Sequence, residues 1–266
     1  MTKADAERAA LEAAMAEAVR RVAGVRVSGT ESMMTSDSAG AVASRYLASV
    51  RLDADGHVVA WTIERARWST VRRGRGASDL VYDATYRVTV ARDAGRADAG
   101  FRLSLASQRA RYTVRSATAS ENDEVVVAIT TTHDAWLTLA SISGDSVRRL
   151  VPNQVTGEAR VLAGPQSNWP SAEWRDRGLH FRVGLPEGVS QRADVLAAVA
   201  TSEQVAWPRP DGGALSLIEF NQWLVGIPAG RRAVAQTIVM VVRESDRELQ
   251  RTTENYRPLR ERRAAP

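Results

Sequence analysis

Residues 135–153 read AWLTLASISGDSVRRLVPN. Leucine, isoleucine, valine and tryptophan recur in the segments 135–142 and 146–150, which indicates two β-strands. Between the segments stands Ser143-Gly144-Asp145, a short polar break whose glycine favours a tight turn. The stretch therefore predicts a pair of antiparallel strands joined by a turn.

Similar short segments surround this pair and extend the prediction to a whole domain. Strands are predicted at 101–105, 111–115, 124–131, 160–162, 178–183, 194–201 and 236–242, and a helix at 215–225. Short strands at this spacing are typical of antiparallel sandwiches and barrels. We therefore expect residues 97–256 to form a mainly antiparallel β-sandwich or barrel domain, followed by a basic flexible tail at 257–266.

The first part of the chain has a different pattern. Leu11, Met15, Val19 and Val22 recur at helical spacing, and Gly24 follows them, which predicts an amphipathic helix over 4–22. A shorter helix is predicted at 38–49, and two long strands at 57–71 and 80–91. The glycines and alanines of 94–100 mark a boundary, so we expect an α+β domain over residues 1–96 and an α+β protein as a whole.

The composition excludes several classes of protein. The 266 residues include no cysteine, which removes disulfides, thiolate zinc sites, iron–sulfur clusters and cysteine nucleophiles. The longest apolar segment, 233–242, is interrupted by Gln236 and Thr237 and is too short to span a membrane. The net charge is only +5, and Lys3 is the only lysine, so arginine usage explains the high isoelectric point. We therefore do not expect nucleic acid as a partner.

No catalytic constellation stands out. His57, His133 and His180 fall in different predicted elements, and the sequence has neither a Gly-x-Ser-x-Gly motif nor a phosphate-binding loop. The acidic segment 121–124 is either a calcium loop or a solvated turn, and its spacing does not match a dedicated calcium loop. We expect no catalytic residues, no metal site, no cofactor and no enzymatic activity.

Two groups of residues are candidates for binding a partner or an anion. Arg72, Arg73 and Arg75 lie in the segment 72–76, which we interpret either as a solvated hairpin loop or as a clamp for phosphate or carboxylate groups. Trp169, Trp174 and Trp207 either close the ends of a β core or stack on a glycan or a proline-rich partner.

The second domain resembles a known family. Trp136–Leu139, the turn at Gly144-Asp145 and the ending VRRLVPN at 147–153 are similar to the envelope-associated family called domain of unknown function forty-three eighty-four. The family's later segments match Leu162-Ala163-Gly164 with Pro170, and LPEG at 185–188 followed by the strand 195–201. The resemblance covers 101–208, and Val151 replaces the family's phenylalanine while remaining apolar.

The first domain resembles a second group. A helix, then GVRVS at 24–28, then a helix and two long strands follow the order seen in the amino-terminal domain of the flagellar assembly T protein and related periplasmic lipoprotein domains. Together the two resemblances imply an exported protein built from interaction modules without catalytic residues.

The leading hypothesis is therefore a noncatalytic assembly or scaffold protein of the bacterial cell envelope. We expect it to bind other subunits of an envelope complex and to associate with itself, in the periplasm or at the cell surface. Because no apolar export signal follows Met1, the cytoplasm is the alternative location. The alternative function is a polyanion- or glycan-binding module that uses the arginine loop and the tryptophans.

Overall fold

The computed structural model describes residues 2–23, 56–73 and 77–244, and it begins with a helix and a hairpin. Helix α1 spans Lys3–Ala23, and strands β1 (Gly56–Arg73) and β2 (Ala77–Arg92) pair antiparallel. The predicted helix at 38–49, the tail at 257–266 and Arg75 lie outside the described residues. The predicted α1 and the two long strands are confirmed.

Two further sheets follow, and the elements that build them are short. The strands are β3 (Leu103–Ser107), β4 (Arg111–Val114), β5 (Val127–Thr131), β6 (Ala135–Ser143), β7 (Ser146–Val151), β8 (Arg160–Val161), β9 (Ser167–Trp169), β10 (Gln191–Thr201), β11 (Leu215–Ser216) and β12 (Arg232–Arg243). The helices are α2 (Ala172–Asp176) and α3 (Leu217–Gly226).

The larger sheet, which we call the central sheet, has seven strands in the order β11-β7-β6-β10-β12-β4, with β8 also paired to β6. The small sheet has the order β3-β5-β9. All pairs are antiparallel except β4 with β12. Within the described residues neither sheet closes on itself, so the second half of the protein is an open sandwich and not a barrel. The predicted α+β class is confirmed.

The β6–β7 turn has the predicted form, since Ser143 pairs with Ser146 and Gly144 adopts a φ of 59°. The register then shifts opposite Leu139 because β7 carries an extra residue, so Val147 and Val151 of β7 point to opposite faces of the sheet. Leu139 faces the small sheet, whereas Ala140 and Ile142 face the opposite side. The central sheet is therefore covered on both faces.

The first core lies between the two sheets. Its fully buried side chains include Tyr112 from β4, Ile129 from β5 and Leu139 from β6. Strand β10 contributes Leu196 and Ala198 to this core. Burial of one large apolar side chain stabilises the fold by about 1.5–3 kcal/mol, so the sandwich depends mainly on this cluster.

The second core lies on the other face of the central sheet, under α3. Phe220 and Leu224 of α3 are fully buried against β6 and β10. The helix starts with a capping box in which the Ser216 hydroxyl accepts from the Glu219 N–H and the Glu219 carboxylate accepts from the Ser216 N–H. The Ser216 N–H, and after it Arg209, lower the pKa of Glu219 to about 2.

Helix α3 also connects the sandwich to the hairpin. Asn221 Nδ2 donates to the Val58 carbonyl oxygen over 2.9 Å, and Gln222 Nε2 donates to the Val59 carbonyl oxygen over 2.8 Å. Val58 is buried in a small apolar cluster together with Met15 of α1. The base of the hairpin is thus held between α1 and α3.

An ion cluster at this junction, formed by His57, Asp93 and Arg232, fixes the base of the hairpin. His57 Nε2 lies 3.3 Å from Asp93 Oδ1, and the Arg232 guanidinium contacts the same oxygen. Arg232 is 3% exposed and also donates to the Leu224 and Ile227 carbonyl oxygens at the C-terminal end of α3. Burial raises the pKa of Asp93, but His57 and Arg232 outweigh it and hold that pKa below its ordinary value of 3.8.

The predicted strand at 178–183 is wrong. Phe181 and Val183 do point into the core, as the alternation suggested, but the segment pairs only through a single bridge between Glu124 and Arg182. The chain opposite becomes a regular strand only at Val127, so the ladder cannot continue. Strand β9 and helix α2 were not predicted.

Replacement of Asp93 by Asn tests the junction. We expect Asp93→Asn to lower the free energy of unfolding by about 2–3 kcal/mol at neutral pH, because it leaves the buried Arg232 charge unpaired. Asp83→Asn is the control, since its ion pair with Arg67 is exposed and is worth at most about 1 kcal/mol. Urea denaturation of both variants measures the difference.

The pH dependence of the same measurement has a defined sign. Because folding lowers the pKa of Asp93, its contribution is complete above the ordinary pKa of 3.8 and is lost as the pH falls through the folded value. The difference in the free energy of unfolding between the wild type and Asp93→Asn should therefore disappear in that acidic range. A difference that does not depend on pH would show that the Asp93 carboxylate does not stabilise the junction by its charge.

Candidate functional site

Exposed apolar side chains concentrate on the β1–β2 hairpin. Five of the seven large apolar side chains that are exposed in the described residues lie there, namely Trp61, Ile63, Val71, Leu80 and Val81. Single exposed apolar side chains are common on protein surfaces, but a cluster on one element marks an interaction surface. The hairpin is therefore the candidate functional site.

Helix α1 covers only part of the hairpin. At the base, Arg92 Nη2 donates to the Val22 carbonyl oxygen over 3.0 Å, and near the start of α1 the Trp68 indole donates to Glu7 over 3.1 Å. Residues 69–73 and 77–81 extend beyond this point, and we call them the hairpin tip. At about 3.3 Å per residue the tip extends about 16 Å beyond Trp68.

Cross-strand aromatic pairs stiffen the covered part. The rings of Trp68 and Tyr82 lie 4.9 Å apart, and those of Trp61 and Tyr86 lie 6.1 Å apart in an edge-to-face arrangement. Burial, helped by the Tyr82 hydroxyl and the charge of Glu7, raises the pKa of Tyr86 to about 12. The tip is thus carried on an ordered two-stranded ribbon.

The tip has apolar side chains on both faces. Leu80 lies opposite Thr70 on the face that α1 covers further down, whereas Val71 and Val81 belong to the opposite face. Leu80 is 51% exposed and Val71 is 49% exposed. A solvated hairpin tip is ordinarily polar, and these side chains bury little surface within their own chain.

The two edges of the ribbon differ. Within the described residues β1 and β2 pair only with each other, so the outer edges of both strands are not paired with another strand, although the Val58 and Val59 carbonyl oxygens accept from α3. Strand β1 carries one extra residue after Val58 and another after Ile63, and each of them shifts the pairing with β2. The pairing is regular from Arg65 to Arg73. The outer half of each strand is therefore suited to pair with another strand.

The predicted arginine loop requires a correction. Arg72 pairs with Ser78 and Arg73 pairs with Ala77, so both residues belong to the ladder and not to the loop. Arg72 is exposed at the tip, beside the apolar side chains.

The three predicted tryptophans pack within the protein. Trp169 is 4% exposed and lies 4.5 Å from the half-buried Trp174, ring to ring, at the margin of the first core. Trp207 is 5% exposed and packs on Phe220 and Trp223 of α3. Their burial supports core packing, and the three rings do not line an open surface.

The three histidines have separate surroundings. His57 contacts Asp93 at the junction, His133 packs on Phe101, and His180 Nδ1 lies 3.0 Å from a Glu124 oxygen. Within residues 2–23, 56–73 and 77–244, no group of three or more histidine, aspartate or glutamate side chains is arranged to hold a metal ion.

The sequence matches no family model and no curated protein with which it was compared. Among the helices that the structure describes, none is both long and apolar enough to cross a membrane.

The exposed tip should contribute little to folding stability. We expect Leu80→Ser to change the free energy of unfolding by less than about 0.5 kcal/mol, because the side chain is solvated. Val88→Ser lies on the same face of the same strand but packs under α1, and it should cost about 1–2.5 kcal/mol. Chemical denaturation compares the two, and equal losses would show that the tip is part of the folded core.

Proposed function

We propose that the protein is a noncatalytic assembly component of the bacterial cell envelope, and that its hairpin binds the hairpin of a second copy. The observation that carries the proposal is the apolar hairpin tip, which projects beyond α1 with exposed side chains on both faces. Binding of another protein to this surface would remove its apolar side chains from water and so lower the free energy of the pair.

The asymmetry of the ribbon favours a head-to-tail arrangement. Helix α1 lies mainly over β2, while Trp61 and Ile63 on the same face of β1 are exposed. If β2 of one copy pairs with β1 of the next, the α1 of the first copy comes to lie beside these two side chains. The contact would therefore bury the uncovered apolar part of β1.

The two strands of the hairpin differ in charge. The outer half of β1 carries Arg65, Arg67 and Arg72, whereas the outer half of β2 carries Asp79 and Asp83. Because Arg67 and Asp83 already pair across the hairpin, this difference steers the approach of β2 of one copy to β1 of the next and does not depend on new ion pairs. Because the two contacting surfaces are different, such contacts produce rings or open filaments.

The energies show that the tip alone is not enough. Three half-exposed apolar side chains supply about 2–4 kcal/mol on burial, and all five on the hairpin supply about 4–7 kcal/mol. Association costs about 4–15 kcal/mol in lost translational and rotational freedom. The interface must therefore run along the whole ribbon and include backbone hydrogen bonds between the paired edges.

The envelope location rests on the two family resemblances of the sequence. Both groups consist of exported interaction modules, which agrees with a chain whose exposed apolar surface is concentrated on one projecting arm. Fractionation of cells that make the native full-length protein tests this part of the proposal. Recovery in the periplasm or at the surface supports it, and recovery in the cytoplasm contradicts it.

The native mass of the purified protein tests the assembly. We expect the wild type to form complexes larger than one chain in light scattering, with a mass that rises with concentration. The double variant Ile63→Lys with Leu80→Lys should remain a monomer, because it places charge within the apolar contact. Light scattering over a concentration series measures both proteins.

Leu162→Lys is the matched control, since Leu162 is 61% exposed but lies outside the hairpin. It should associate as the wild type does. A wild type that is monomeric at every concentration, or a control that dissociates like the double variant, would contradict the proposal.

A further inference from the structure

A polar cavity of about 320 Å³ lies in the second half of the protein, away from the hairpin. It is bordered by the segment 108–126 and by α2, and four arginines line it, namely Arg109, Arg115, Arg175 and Arg182. Three carboxylates lie in the same wall and a fourth, Glu244, pairs with Arg115, so the ion pairs decide which arginines remain available. The cavity is independent of the proposed assembly surface.

Two of the arginines are engaged with the protein itself. Arg115 Nη1 lies 2.6 Å from Asp123 Oδ1, and Arg182 Nη1 donates to the Asn122 carbonyl oxygen over 2.8 Å. Burial raises the pKa of Asp123, but Arg115 and the Thr113 N–H outweigh it and hold the pKa below its usual range. Asp123 is thus a neutralised structural group, and it does not cancel the remaining arginines.

The segment 121–124 is held by contacts within the protein and is not a freely solvated turn. Asn122 is 4% exposed, and its side-chain oxygen accepts from the backbone N–H groups of Arg115 and Ser116. Glu124 is paired with His180. These contacts hold the wall of the cavity in place, and they leave Glu121 as its one carboxylate without an ion pair among the described residues.

Arg175 is the exception among the lining residues. Its Nε is buried, and within the described residues this atom has no hydrogen-bond partner. Among the described residues, no carboxylate forms an ion pair with the Arg175 guanidinium. The two Nη atoms of the same guanidinium are not buried and have no partner among the described residues, so they are open to an acceptor in the cavity.

Arg109 provides a second available cation at the same wall. Its side chain is 66% exposed, and its nearest charged contact is Asp123 at 3.8 Å, a group that Arg115 already neutralises. Two guanidinium groups that face one cavity are suited to bind an oxyanion through paired hydrogen bonds. A cavity of this volume is at the lower end of the range for small-molecule sites.

We propose that this cavity binds the oxyanion group of a small polar molecule, with Arg175 as the principal ligand and Arg109 as the second. The shared chemistry is a phosphate, sulfate or carboxylate group with at least two oxygens free to accept. Glu121 faces the same cavity and would accept from a hydroxyl or ammonium group elsewhere on the ligand.

Calorimetric titration with inorganic phosphate, sulfate and acetate tests the site, at an ionic strength held constant with sodium chloride. We expect at least one of the three anions to bind the wild type with a millimolar dissociation constant. Binding of phosphate and sulfate alone identifies a tetrahedral group as the ligand, and binding of acetate identifies a carboxylate. Failure of all three at tens of millimolar would overturn the proposal.

Two variants from α2 and the residue after it form the matched pair. Arg175→Gln should weaken binding at least tenfold, because it removes the unpartnered guanidinium. Arg177→Gln should leave binding unchanged, since Arg177 is exposed, contacts only Glu173 at 3.9 Å and does not line the cavity. Equal affinities in the wild type and Arg175→Gln would remove Arg175 from the site, and equal weakening in both variants would show that only general charge is sensed.

Arg109→Gln keeps the test valid if Arg175→Gln does not fold. Its side chain is mostly exposed, so the fold should tolerate the change, and circular dichroism checks this. We expect binding to weaken severalfold. Unchanged affinity in this variant would remove Arg109 from the site and contradict the two-arginine arrangement.

Discussion

Arg232 holds together the parts of the protein on which the rest of the structure depends. Its buried guanidinium contacts Asp93 at the base of the hairpin and donates to the Leu224 and Ile227 carbonyl oxygens at the C-terminal end of α3. Its backbone begins β12 of the central sheet. A buried charge is stable only when it is paired, so hairpin, helix and sheet must meet at this point. The junction fixes the direction in which the hairpin projects.

The central sheet makes this arrangement possible because both of its faces are covered. Strand β10 alternates between the two cores, with Leu196 on one side and Val195 and Val199 on the other. Strand β6 alternates in the same way, with Leu139 in the first core and Ala140 and Ile142 in the second. The helix that covers the second core is α3, which also contacts Val58 at the base of the hairpin. The packing of α3 on the sheet therefore also determines where the hairpin lies.

Local patterns predicted the parts of the fold that local forces determine. The spacing of Leu11 and Met15 is sufficient for α1, and Gly144 is sufficient for the β6–β7 turn. The segment 178–183 shows where alternation fails, since it reports burial but not whether a neighbouring strand exists. The sequence pointed to Arg72 in the hairpin, but it predicted neither the exposed apolar tip nor the arginine-lined cavity. Exposure of Leu80 depends on where α1 begins relative to β2, and the position of Arg175 depends on a wall built from distant loops.

A two-stranded ribbon on its own is only marginally stable in water. Here α1 covers its lower part, aromatic pairs such as Trp68 with Tyr82 join its strands, and the ion cluster fixes its base. The ribbon is therefore ordered before any partner arrives, and association does not have to bear the entropy of ordering it. This preorganisation is what would let an apolar surface as small as the hairpin's support assembly, because most of the free energy from its burial would remain available to the contact.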